Sequence, residues 1–86
     1  MNKELLEKVL LGKLNSQQEL SEFISEYVNE ELGNYPTSQE LTGIVELIKM
    51  GAFSLEYAAE VSARKNNVNI TKLYNKEGRF IKLYLN

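Results

Sequence analysis

Two Ser/Thr-x-x-Glu sequences, Ser16-Gln17-Gln18-Glu19 and Thr37-Ser38-Gln39-Glu40, each open an apolar series at helical spacing. A hydroxyl with a glutamate three residues on can satisfy orphan amides at a helix N-terminus from both sides. Each series then runs into a glycine, Gly33 or Gly51, the residue type that most readily ends a helix. This punctuation predicts helices over 17–32 and 38–50, with the turn Asn34-Tyr35-Pro36-Thr37 between them. Leu20, Phe23, Ile24, Tyr27 and Val28 form the apolar stripe of the first, and Leu41, Ile44, Val45 and Ile48 that of the second. Gly43 sits inside the latter, where it costs about 1 kcal/mol against alanine, and it reads as a mark of close helix packing.

Leu5, Leu6, Val9, Leu10 and Leu14 predict an earlier helix over 3–13. Its apolar arc is wide, and Leu11 lies outside the main stripe. Such a helix is either buried among several neighbours or carries a second face for another subunit, so homodimerisation through it is one expectation. Ser54 predicts the N-cap of a fourth helix over 55–65, with a small inner face of Leu55, Ala58, Ala59 and Ser62. Arg64 and Lys65 fall in its last turn, where the helix dipole favours cations.

From residue 69 the period changes to two. Asn69–Tyr74 and Arg79–Leu85 read as strands around Asn75-Lys76-Glu77-Gly78, whose Asn and Gly suit a type I turn closed by a left-handed residue. Regular pairing then sets Tyr74 opposite Phe80, Lys72 opposite Lys82 and Ile70 opposite Tyr84. Leu73, Ile81, Leu83 and Leu85 share the other face, which is expected to cover the helices. The fold class is α+β: a four-helix N-terminal cluster with a C-terminal antiparallel β-hairpin spanning about 69–85, as one domain over 1–86. A winged-helix-like arrangement fits the same order of elements.

With 86 residues, the chain buries roughly 60% of its unfolded surface, enough for one modest core. Its stability is expected at roughly 4–13 kcal/mol. There is no cysteine, so neither a disulfide nor thiol chemistry contributes. No apolar run approaches the ~18 residues of a membrane span, and Glu4, Glu7, Lys8 and Lys13 interrupt any signal-peptide core. The expected location is cytoplasmic, with no membrane partner. Small size and a lysine- and asparagine-rich composition suggest a mobile-element origin, such as a phage.

Catalysis has few means here. Histidine, cysteine and aspartate are all absent, which removes the usual general base, thiolate ligands and Ser-His-Asp triads. The five glycines form no phosphate-cradling pattern. The sequence therefore reads as a non-enzyme, with no cofactor and no metal.

Charge carries more. Between Leu14 and Ile48 there are seven glutamates and no lysine or arginine, whereas Arg64–Asn86 holds six basic residues and one acid. Glu19, Glu22, Glu26 and Glu30 line up away from the apolar stripe of their helix. They are either a solvated face or a contact ridge for a basic partner, including one that normally holds nucleic acid. The second candidate patch comprises Arg64, Lys65, Lys72, Tyr74, Phe80, Lys82 and Tyr84. Lysines beside aromatics on one sheet face can hold phosphates and stack bases, or they can guard a sheet edge.

The leading functional expectation is a small non-catalytic protein-binding regulator or inhibitor that occupies a partner's surface. The alternative is a winged helix-turn-helix DNA-binding regulator. Against it, Glu56 and Glu60 sit where a recognition helix meets phosphates, and Glu46-Leu47 replaces the usual small apolar residue. A third expectation is a structural subunit assembling through the first helix.

Overall fold

The computed structural model describes all residues, Met1 to Asn86. Four helices come first: α1 (Lys3–Leu10), α2 (Gln17–Leu32), α3 (Ser38–Lys49) and α4 (Leu55–Lys65). Two antiparallel strands follow, β1 (Ile70–Tyr74) and β2 (Phe80–Leu85). The α+β class and the helices-then-hairpin order are those read from the sequence.

Each helix starts where a hydroxyl or amide oxygen meets an orphan N–H: Asn2, Ser16, Thr37 and Ser54 are the N-caps. Thr37 and Glu40 form the full reciprocal box. Glu19 differs, since its carboxylate accepts from the Asn15 amide (3.1 Å) and not from that of Ser16. α1 ends at Leu10, three residues earlier than expected. Gly12 takes a left-handed φ of 69°, and the Lys13 N–H turns back to the Lys8 carbonyl at 2.7 Å. That loop satisfies the last carbonyls and leaves no helical path to residue 13.

The core is built by three helices. Phe23 and Ile24 of α2, Leu6 of α1, and Ala58 and Ala59 of α4 are completely buried. Leu5, Val9 and Ala63 complete the cluster. Alanines on α4 let its backbone approach α1 and α2, and those are the helices it packs on. α3 packs chiefly on α2, with Val45 buried. Gly43 mediates no close approach: it is exposed, and a Cβ there would meet nothing within 4 Å. Tyr27 and Phe53 close the side of the core edge to face, with ring centroids 5.9 Å apart.

The hairpin attaches through β2 to α1. Its turn is as expected: Gly78 has φ 81° and its N–H donates to the Asn75 carbonyl, while Asn75 Oδ1 accepts from Glu77 and Arg79. The register departs from expectation. Tyr74 does oppose Phe80, but Leu73 pairs with Lys82, Lys72 with Leu83, Thr71 with Tyr84 and Ile70 with Leu85. Ile81 is therefore an extra residue, a β-bulge that turns every later side chain of β2 over. Ile70, Leu83 and Leu85 now share the face toward the helices, and Leu83 is the one buried residue of the hairpin. Leu73 and Ile81, expected inside, are 42% and 60% exposed. Lys72 and Lys82 lie on opposite faces, so the like-charge pair across the strands does not form.

The Cα radius of gyration is 13.7 Å, against about 12 Å for a compact chain of this length. The excess reflects the extents of 46 × 27 × 20 Å. α3 and the hairpin sit at different ends of a contact series that runs α3, α2, α1, β2.

Candidate functional site

The acidic series on α2 does not stand as one free ridge. Glu19 forms an ion pair and hydrogen bond with Lys8 of α1. The Lys8 ammonium and the Asn15 N–H hold the Glu19 carboxyl below the ordinary carboxylate value. The same hydrogen bond raises the Lys8 ammonium above its own. Glu30 turns into the fold: its carboxylate accepts from the buried Ser62 hydroxyl at 2.8 Å and from the Asn66 amide, and it lies 3.9 Å from the Met1 amino group. Its placement on an outward ridge is thus corrected, because α4 covers that side of α2 near its C-terminus. Glu26 accepts from the Tyr35 hydroxyl at 3.3 Å. Glu22 is exposed and carries no ion pair.

The basic residues divide in the same way. Lys65 pairs with Glu31 at 3.1 Å and reaches the Glu30 carbonyl at 3.4 Å. Lys72 pairs with Glu56 at the start of α4, 3.3 Å away. Arg64 and Lys82 have no carboxylate within ion-pair distance, and neither do Lys76 and Arg79 at the hairpin turn.

The bulge defines two apolar surfaces on the hairpin. On the outer face Leu73 pairs with Lys82 and Thr71 with Tyr84. The Lys82 ammonium stands 5.0 Å from the Tyr84 ring centroid, a cation–π contact that holds the charge beside the ring. Toward the helices, Tyr74 and Phe80 meet edge to face at 6.1 Å. With Lys72, with Leu10 of α1 and with its C-cap Leu11, they line a cleft of about 160 Å³, enough for one side chain. The wide apolar arc of α1 is thus faced by the chain's own elements: Leu5, Leu6 and Val9 by the helices, Leu10 and Leu11 by the hairpin.

Leu73, Tyr74, Phe80, Ile81 and Tyr84 are each 40–60% exposed. At ~200 Å² for a fully exposed large side chain, Leu73, Tyr84 and the bulge residue Ile81 leave about 280 Å² of apolar surface, and Tyr74 and Phe80 leave about 200 Å² on the side toward the helices. A patch of a few hundred Å² is about the largest a typical monomer shows, and such a patch is often functional. Leu73 and Ile81 belong to this patch and were not singled out by the sequence, because the regular register turns them inward. No group of three carboxylates converges to form a metal site, and no helix is long and apolar enough to cross a membrane. Comparison with protein-family models, with curated proteins and with solved structures gave no match.

Proposed function

We propose that this protein is a small non-catalytic regulator, cytoplasmic in its setting, that acts by covering a surface of a partner protein. The hairpin is its principal contact element. The observation that carries the reading is the exposed Leu73–Ile81–Tyr84 surface with Tyr74 and Phe80 beside it. Unpaired Lys76, Arg79 and Lys82 give this apolar centre a basic rim, the usual anatomy of a docking patch. Of the acidic series, Glu22, together with Glu26 and its Tyr35 partner, is available for a second contact, whereas Glu19 and Glu30 serve the chain itself.

A tagged pull-down from host extract, with and without nuclease, tests this. One protein recovered near stoichiometry, insensitive to nuclease and lost with Leu73→Lys or Ile81→Lys, is the expected result. Both variants should keep the far-UV circular dichroism. Recovery unaffected by either change would refute the assignment of the contact face.

The unpaired basic side chains favour one second reading, a nucleic-acid-binding winged helix. It predicts duplex DNA binding with steep salt dependence, lost in Lys82→Glu. Weighing on the other side, Lys72 is already held by Glu56, and the exposed side of α4 presents Glu56 and Tyr57. A flat salt profile, or no binding at low salt, removes this reading.

A further inference from the structure

We infer that the free edge of β1 is a separate binding site, which takes an extended peptide segment with an acidic side chain as an added strand. The sheet has two strands, so β1 has one neighbour and one open edge. Asn69 and Asn86 exchange both backbone hydrogen bonds, at 2.8 and 3.0 Å. From that pair the antiparallel alternation is fixed: Thr71 and Leu73 direct their N–H and C=O toward β2, while Ile70 and Lys72 direct theirs away. Outside the helices and the ladder, no backbone or side-chain hydrogen bond reaches the main chain of Ile70 or Lys72. Two donors and two acceptors thus stand unpaired at the two-residue spacing of a strand.

A groove of about 420 Å³ lies along this edge. Glu60, Ala63 and Arg64 of α4 form one wall, and Val68, Ile70 and Lys72 form the other. No β2 residue lines it, so β1 is the only strand it borders. Ala63, Val68 and Ile70 give an apolar floor, and Ala63 adds depth by its small size. A groove between a helix and an open strand edge is the geometry in which peptides bind by strand addition. The ladder supplies affinity, and the flanking side chains choose the sequence. The chooser here is Arg64, whose guanidinium has no carboxylate partner and suits one on the guest. Lys72 is occupied by Glu56 and contributes its stem and its main chain. A nucleic-acid strand offers no matching ladder of amides to the open edge. The edge also lacks the usual guards: β1 contains no proline, the bulge is on β2, and the lysine head is turned to α4.

The test has two arms on the full chain. By NMR, the Ile70 and Lys72 amides should exchange quickly in the free monomer while Thr71 and Leu73 are protected; protection of all four would overturn the inference. In the second arm, a displayed library of random ten-residue peptides is selected on the protein, and enriched sequences are synthesised with blocked ends. Acidic peptides should bind, slow exchange at Ile70 and Lys72, and weaken at least tenfold with Arg64→Glu or Lys72→Pro. The proline removes the outward N–H; Arg64→Glu leaves the strand intact should the proline disturb it. No enrichment, displacement of the peptides by an oligothymidine, or slowed exchange at Ile70 that grows with protein concentration alone would each overturn it. Peptide shifts confined to Leu73, Lys82 and Tyr84 would overturn it too, while leaving the outer-face function standing.

Discussion

Glu30→Ala is the substitution that separates folding from function on the acidic side of the molecule. The Ser62 side chain is 1% exposed, and the Glu30 carboxylate accepts its hydroxyl proton at 2.8 Å. Removing the carboxylate leaves that hydroxyl buried without this acceptor, at about 1–3 kcal/mol. The Asn66 amide loses a charge-assisted bond on the same oxygen pair, although it keeps its bond to the Ser62 carbonyl. The expected loss is about 2–3 kcal/mol, and about 10–20 °C in Tm for a domain of this size. Glu22→Ala, at an exposed position with no ion pair, should stay within about 0.5 kcal/mol. Ser62→Ala placed on Glu30→Ala should recover about 1 kcal/mol, because losing both partners costs less than stranding one. Urea denaturation followed at 222 nm, fitted with a common m-value, reads the wild type, the three single variants and the double variant. Equal effects of Glu30→Ala and Glu22→Ala, or strict additivity with Ser62→Ala, would refute the reasoning.

Acid should unfold the protein through its caps. Lys8 and the Asn15 N–H lower the Glu19 carboxyl, and the Thr37 N–H and hydroxyl lower that of Glu40. A folded value below the unfolded one means stability that is present above the unfolded value and lost as pH falls through the folded value. Glu19→Gln and Glu40→Gln should therefore lower the urea midpoint at pH 7 and flatten its decline in acid; an unchanged acid slope argues against this. Deleting Ile81 should be tolerated within about 1 kcal/mol, because the bulge residue has no partner and the pairs beyond it stay in place. Cross-strand Hα–Hα contacts for Lys72–Leu83 and Ile70–Leu85 should persist in its NMR spectrum, and their loss would mean that the register is wrong.

The helices were legible because their signals are local. A hydroxyl, a glutamate three residues on, an apolar stripe and a glycine are read within one segment, and α2, α3 and α4 start where those signals say. The hairpin turn was legible for the same reason. The bulge was not, since Ile81, Leu83 and Leu85 alternate perfectly, and a regular strand satisfies the pattern as well as the observed one does. What decides is packing: the bulge lets Ile70 join Leu83 and Leu85 on the side facing the helices, a choice that depends on α1 and not on the strand. Glu30 was unreadable in the same way. Its partners Ser62 and Asn66 lie 32 and 36 residues on, and an i, i+4 row of glutamates looks identical whether its last member faces water or α4.

The hairpin meets the rest of the molecule through Leu83, with Leu85 and Ile70 beside it, and through the Lys72–Glu56 pair. The helices share a core to which the strands contribute little. Such an arrangement predicts that the hairpin opens as a foldon of its own while the helical part stays intact. Its ladder amides should then exchange through a shallower opening than those of Phe23 and Ile24. Any guest that grips only the docked hairpin would raise the free energy of that opening with the logarithm of its concentration over its Kd. Occupancy would thus be written as local rigidity, readable at Thr71 and Leu73 even where the bound surface itself is spectroscopically silent.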